Sequence, residues 1–201
     1  MSLILITTLT LPLFIIGCPG DPGDDDHDHE HNEGEFITTV ELSFSGPTDV
    51  VATWVDLEAD GDPVIDDITL SPGSYDLDVR FLNEAEEPVE DISVEVAAEE
   101  TEHQVFFLGP GVEGPASNSV GEAVLVHAYD DADENNAPLG LANTVEASAG
   151  TTDLQVVLRH LPEQDGTALK TSNLAEDVAS GGIGSLPGDT DVDVTFSVTV
   201  Q

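Results

Sequence analysis

The sequence predicts an all-β protein: an antiparallel, Ig-like β-sandwich built from two similar halves with pseudo-twofold symmetry. Three observations point there. Apolar and polar residues alternate with period two along many short segments. Only one stretch carries helical spacing. The second half of the chain also repeats the pattern of the first.

The alternation is clearest at the C-terminus. There Val192, Val194, Phe196, Val198 and Val200 alternate with Asp191, Asp193, Thr195, Ser197 and Thr199. Similar strands are expected near 36–45, 49–57, 74–83, 103–108, 121–130 and 152–160, with short ones near 67–71 and 143–147. The helical stretch spans 88–101, where Ile92 and Val96 are spaced for one face and Pro88 stands near the start. An acidic loop with a strand at 92–96 is the competing reading of that stretch.

The repeat is visible residue by residue. Segment 54–63 (WVDLEADGDP) matches 129–138 (YDDADENNAP), and 73–79 (GSYDLDV) matches 150–156 (GTTDLQV). The halves run from about 36 to 102 and from 103 to 201. One shared core is preferred over two tandem sandwiches, because each half alone would bury little.

Ahead of the body lie two further regions. Residues 3–16 are an apolar run too short to span a bilayer, and an acidic Pro/Gly stretch follows it. The run ends Ile15-Ile16-Gly17-Cys18, which resembles the lipobox of bacterial lipoproteins, although no Lys or Arg precedes it. That resemblance implies a signal peptide over 1–17, acylation of Cys18, and Cys18 as the mature N-terminus. Cys18 is the only cysteine, so no intrachain disulfide is open to the chain. Pro19 in place of Asp, with Asp21 and Asp24–Asp26 nearby, resembles outer-membrane and surface-export sorting signals. The expected address is the outer membrane, lipid-anchored, facing the periplasm or the cell surface.

Residues 18–35 hold nothing that can form a core, so they are read as a flexible acidic tether. It contains His27-Asp28-His29-Glu30-His31. In an extended backbone alternate side chains share one side, so His27, His29 and His31 are placed to converge on a zinc-type cation. The plainer reading is a solvated linker with incidental histidines.

Several body segments taken together resemble one family. They are 35–40 (EFITTV), 81–84 (FLNE) with 90–92 (EDI), 102–107 (EHQVFF), 131–133 (DAD) with 138–141 (PLGL), 158–160 (LRH) and 190–196 (TDVDVTF). This combination resembles small acidic secreted lipoproteins of the Bacteroidetes type, commonly labelled "type 1 periplasmic binding fold superfamily protein". The resemblance implies a shared fold and envelope address, and it brings no activity with it.

Composition bounds the partners. The chain has 201 residues, 3 basic and 42 acidic, for a net charge of −39. Phosphate binding needs clustered Lys and Arg, so nucleic acid is excluded as a partner. Such a surface suits a secreted protein of a salty habitat, where the Debye length shrinks to roughly 3 Å at 1 M salt.

Two acidic turns echo calcium loops. In the first, Asp56, Glu58, Asp60 and Asp62 alternate, Gly61 stands at the sixth place and Asp67 at the twelfth. In the second, Asp131, Asp133 and Asn135 alternate, but Asn136 replaces the Gly. Both also fit plain acidic turns between strands. His103, His127 and His160 lie in or beside apolar strands. Hydrogen-bonded strand-end residues are the simpler reading, and a second metal site from His103, His160 and nearby carboxylates is the other.

Enzyme signals are missing. Residues 117–121 (SNSVG) lack the leading Gly of a nucleophile elbow, and no Lys follows 181–185 (GGIGS) as in a P-loop. The chain is therefore expected not to be an enzyme and to need no cofactor, with zinc or calcium as candidate ligands. Two functions follow. One is a ligand- or metal-binding accessory lipoprotein serving a transporter such as a TonB-dependent receptor. The other is a calcium-stabilised structural or adhesive surface module.

Overall fold

Alternating side chains form strands because successive residues point to opposite faces of the pleat, and one face here is uniformly apolar. The computed structural model describes residues 36–58 and 61–201. Its strands are β1 (Thr39–Ser45), β2 (Val50–Val55), β3 (Val64–Ile65), β4 (Ile68–Leu70), β5 (Gly73–Asn83), β6 (Glu90–Asp91), β7 (His103–Leu108), β8 (Val112–Glu113), β9 (Leu125–Tyr129), β10 (Ala142–Ala147), β11 (Gly150–His160) and β12 (Asp189–Val200). The helices are α1 (Ser93–Ala98) and α2 (Leu174–Gly181). Each strand expected from alternation is present. The two-residue strands β3, β6 and β8 are too short to leave a periodic signal.

The strands form two packed sheets, an all-β sandwich. The larger runs β3-β2-β1-β5-β10-β9-β8, with β6 beside β5, and the smaller runs β4-β12-β11-β7. Pairing is antiparallel except for β4 with β12 and β8 with β9. One cluster joins the facing sheets: Val40, Leu42, Phe44, Leu77, Val79 and Phe81 of the larger meet Val105, Phe107, Val156, Leu158, Val194 and Phe196 of the smaller. Each such side chain contributes roughly 1.5–3 kcal/mol when fully buried. Because β4 joins strands of the second half and β8 to β10 join strands of the first, the halves share this core.

The internal repeat is strongest at the sheet centres. β5 and β11 are each 11 residues long and begin at matching glycines. Gly73 and Gly150 both sit at positive φ (145° and 156°), where a side chain would also strike Pro47 or Val124. β5 pairs with β1 and β10, as β11 pairs with β7 and β12, all antiparallel. The outer strands depart from this: the matched segments at Trp54 and Tyr129 lie in β2 and β9, on opposite flanks of the same sheet.

The helix expected within 88–101 is α1. Its Val96 and the preceding Ile92 are buried in the main core. A second helix, α2, lies outside the single helical stretch the sequence suggested. It packs Leu174, Ala175 and Val178 against Phe106, Val157 and Leu161 on the outer face of the smaller sheet. The spacing of Leu174 and Val178, with Asn173 before the helix and Gly182 after it, is a signal short enough to pass for a loop.

Candidate metal centre

The antiparallel register of β7 and β11 sets His103 directly opposite His160. His103 shares strand parity with Val105 and Phe107, and His160 with Val156 and Leu158, so both rings lie on the inward face. They stack, with centroids 4.7 Å apart and planes 9° from parallel. This closes one end of the smaller sheet with two imidazoles.

Two carboxylates arrive from the turn after α1. Burial of Val96 fixes the helix, and the turn out of it carries Glu99 and Glu102. Glu99 Oε2 lies 3.9 Å from His103 Nδ1, and Glu102 Oε2 lies 3.7 Å from His160 Nε2. These separations exceed hydrogen-bond length. Among the described residues, Glu99, His103 and His160 form the one group whose ligand atoms all lie within 4.8 Å of one another.

The smaller sheet adds Asp191. Leu158 pairs with Val192 while Arg159 pairs with Thr190, so Asp191 is the extra residue of a β-bulge. The bulge turns its carboxylate inward, where Oδ2 lies 3.9 Å from His103 Nε2 and accepts no hydrogen bond from the described residues. The side chain of Asp191 is 2% exposed and that of His103 is 0% exposed.

Burial dominates the electrostatics. It pushes the His103 imidazole down to about 4, and repulsion from His160 adds to the shift. It pushes the Asp191 carboxyl up to about 6, against the opposing pull of His160 and Arg159. His103 is therefore neutral at pH 7, the state that ligates metals. Two nitrogens and a carboxylate oxygen form a donor set suited to a zinc-type ion. Binding at about 2.0–2.1 Å per nitrogen requires the stacked rings to splay toward one point.

The other predicted sites fare differently. Cys18, His27, His29, His31 and Asp60 lie outside the described residues. In the first acidic turn Asp56 Oδ2 accepts the Gly61 N–H at 3.0 Å. Asp56, Glu58 and Asp62 line one surface hollow of about 240 Å³, which Asp67 does not line. Neighbouring Asp66 instead accepts from the Thr53 backbone N–H and hydroxyl.

In the second turn the carboxylates already hold backbone. Asp131 accepts N–H bonds from Gly140, Leu141 and Ala142. Asp133 accepts from Asn135 and Ala137 and pairs with Lys170 at 3.1 Å, with both partners buried. Asn135 contributes its backbone N–H to Asp133. Lys170 also donates to the Glu100 carbonyl, so this ion pair ties down the turn that carries Glu99 and Glu102. His127 is a core residue: its Nε2 lies 2.9 Å from Asn143 Oδ1, and its ring packs on Phe107.

Sequence reasoning named His103 and His160 but not Glu99 or Asp191. Glu99 follows the last residue of α1 and His103 opens β7, so no single period links the two in the sequence. Asp191 reads as an outward residue of an alternating strand, and only the bulge reverses it. Comparison with known proteins yields no match to any family model, curated protein or solved structure.

Proposed function

We propose that this chain is an outer-membrane lipoprotein, anchored through acylated Cys18, that binds a transition-metal ion as an accessory to a transporter. One observation carries the metal-binding reading: the convergence of Glu99, His103 and His160 at one end of the sandwich. The two imidazoles stack on each other with the Glu99 carboxylate beside them, which gathers three donor groups at one point. The lipobox-like ending at Cys18 supports the anchor, and His27, His29 and His31 supply a second set of nitrogen donors in the sequence. A TonB-dependent receptor is the proposed transporter partner.

The test is elemental analysis of the purified chain after exposure to equal zinc and calcium. Zinc should be retained, and a His103→Ala, His160→Ala double variant should lose one equivalent. Absence of zinc, or retention unchanged in that variant, would overturn the metal-binding reading. Cys18→Ser should release the protein from the membrane fraction, and a variant that stays acylated and membrane-bound defeats the anchor.

A calcium-stabilised adhesive module is the second reading. The hollow lined by Asp56, Glu58 and Asp62 favours it. Calcium retained in place of zinc, with thermal stability that falls on chelation, would select it.

A further inference from the structure

We infer that Asp191 is the positioning residue of the centre: it accepts a hydrogen bond from His103 Nε2–H and so turns Nδ1 toward a zinc-type ion shared with Glu99 and His160. The inference rests on the metal-binding reading above and adds a carboxylate–histidine–metal chain to it.

The geometry separates the two edges of one ring. Glu99 Oε2 lies on the Nδ1 side of His103, and Asp191 Oδ2 lies on the Nε2 side, each at 3.9 Å. Asp191 is not part of the group formed by Glu99, His103 and His160, so it stands behind the ring rather than around the ion. A neutral imidazole carries one N–H, and its two tautomers put that proton on opposite edges. With the proton on Nδ1, the ring donates to the Glu99 carbonyl at 3.3 Å, and a bare Nε2 faces the carboxylate of Asp191. Moving the proton to Nε2 frees the Nδ1 lone pair and gives Asp191 a donor. A metal ion on Nδ1 selects this second tautomer, and the ion's charge strengthens the Nε2–H bond to the carboxylate.

Burial makes this partner matter. The Asp191 side chain is 2% exposed, and its Oδ2 receives no hydrogen bond from the described residues. A buried carboxylate oxygen left without a donor carries the full desolvation penalty of that group. Ligation of His103 through Nδ1 removes that cost, so part of the stabilisation appears as metal affinity. The β-bulge has the same logic: without the extra residue, Asp191 would face outward like Asp193.

Zinc titration of the full chain with His27, His29 and His31 replaced by Ala isolates this centre. Imidazole ¹H–¹⁵N correlation spectra report which ring nitrogen of His103 bears the proton. The parent should bind one zinc with His103 metallated on Nδ1 and protonated on Nε2. Asp191→Asn should keep one zinc per chain but weaken binding about 10- to 100-fold. Asp191→Glu should restore most of the loss, which a purely structural role would not predict for a longer side chain. Metallation of His103 on Nε2, or Asp191→Asn binding as tightly as the parent, would overturn the inference and leave the zinc site standing. A parent chain that binds no zinc would instead remove the metal-binding reading and this inference with it. The tautomer readout uses the parent alone, so the test survives a variant that fails to fold.

Discussion

The two sheets have corresponding ends that are finished in opposite ways. In the larger sheet the end falls at Thr38 and Asn83, one step beyond the Thr39–Leu82 pair. In the smaller sheet the same register position holds His103 and His160. Thr38 and Asn83 are buried and hydrogen-bonded: the Thr38 hydroxyl accepts the Glu84 N–H and donates to the Leu82 carbonyl, and Asn83 Oδ1 accepts the Ala85 N–H. At the other end, carboxylates stand 3.7–3.9 Å from imidazole nitrogens, and the buried Asp191 Oδ2 accepts no hydrogen bond from the described residues. Buried polar groups are normally paired, so the first end closes a sheet, whereas the second keeps a buried carboxylate oxygen for which the described residues supply no donor. The repeated pattern thus ends once in a hydrogen-bonded closure and once in the candidate metal centre.

The largest effect is expected at the ion pair under the histidine end. Lys170→Met leaves Asp133 charged and buried and releases the Glu100 carbonyl. A loss of about 3–5 kcal/mol in urea unfolding is expected. A loss below about 1 kcal/mol would show that the turn bearing Glu99 and Glu102 does not depend on this anchor.

Acid offers a second separation. Burial holds His127 down to about 4 from an ordinary 6.5, despite the opposing Asn143 hydrogen bond and the charges of Asp130 and Asp131. Between those values the unfolded chain binds more protons than the folded chain. Stability from this group is therefore intact above 6.5 and lost as pH falls toward 4, by roughly 3 kcal/mol. At the histidine end the downward shift of His103 and the upward shift of Asp191 act in opposite directions and largely offset. Unfolding of the metal-free chain from pH 7 to 4.5 should thus be flattened by His127→Gln. If the slope is unchanged in that variant, the acid sensitivity belongs elsewhere.

The two ends can be exchanged by mutation. His103→Thr with His160→Asn writes the larger sheet's ending into the smaller. Zinc affinity should fall at least 100-fold, about 2.7 kcal/mol, with the far-UV spectrum unchanged. Zinc bound as in the parent would place the metal outside this end.

The smallest effect belongs to the closed end. Thr38→Ala strands the Glu84 N–H and should cost about 1–2 kcal/mol of stability while leaving zinc affinity untouched. Calorimetry that shows weakened zinc binding would mean the two ends are coupled through the core.

Much of this architecture is legible in the amino-acid sequence. Strands such as 189–200 and 73–83 announce themselves because every second residue must be apolar to face a core. The glycines at 73 and 150 exposed the repeat because each needs a backbone that side chains avoid. The candidate site was only half legible. His103 and His160 stood out as polar residues in apolar strands, but the partner of each depends on how β7 and β11 align. Glu99 joins them through a helix of six residues, too short for periodicity to mark firmly. The acidic turn at Asp131 and Asp133 looked like a cation loop because a backbone N–H and a metal ion ask the same thing of a carboxylate.

By itself the sequence determined the strand content, the inward faces, the acidic exterior and the export-like N-terminal ending. Each is written locally, in composition, period or a short motif. Tertiary structure alone decided which strands pair, where the halves exchange strands, that α2 covers the outer face of the smaller sheet, and that Asp191 points inward. Those outcomes compare apolar strand edges of nearly equal local preference, and long-range packing and register separate them. A one-residue bulge in β12 inverts a side chain without altering the alternating pattern around it, so the carboxylate behind His103 exists only in the folded chain.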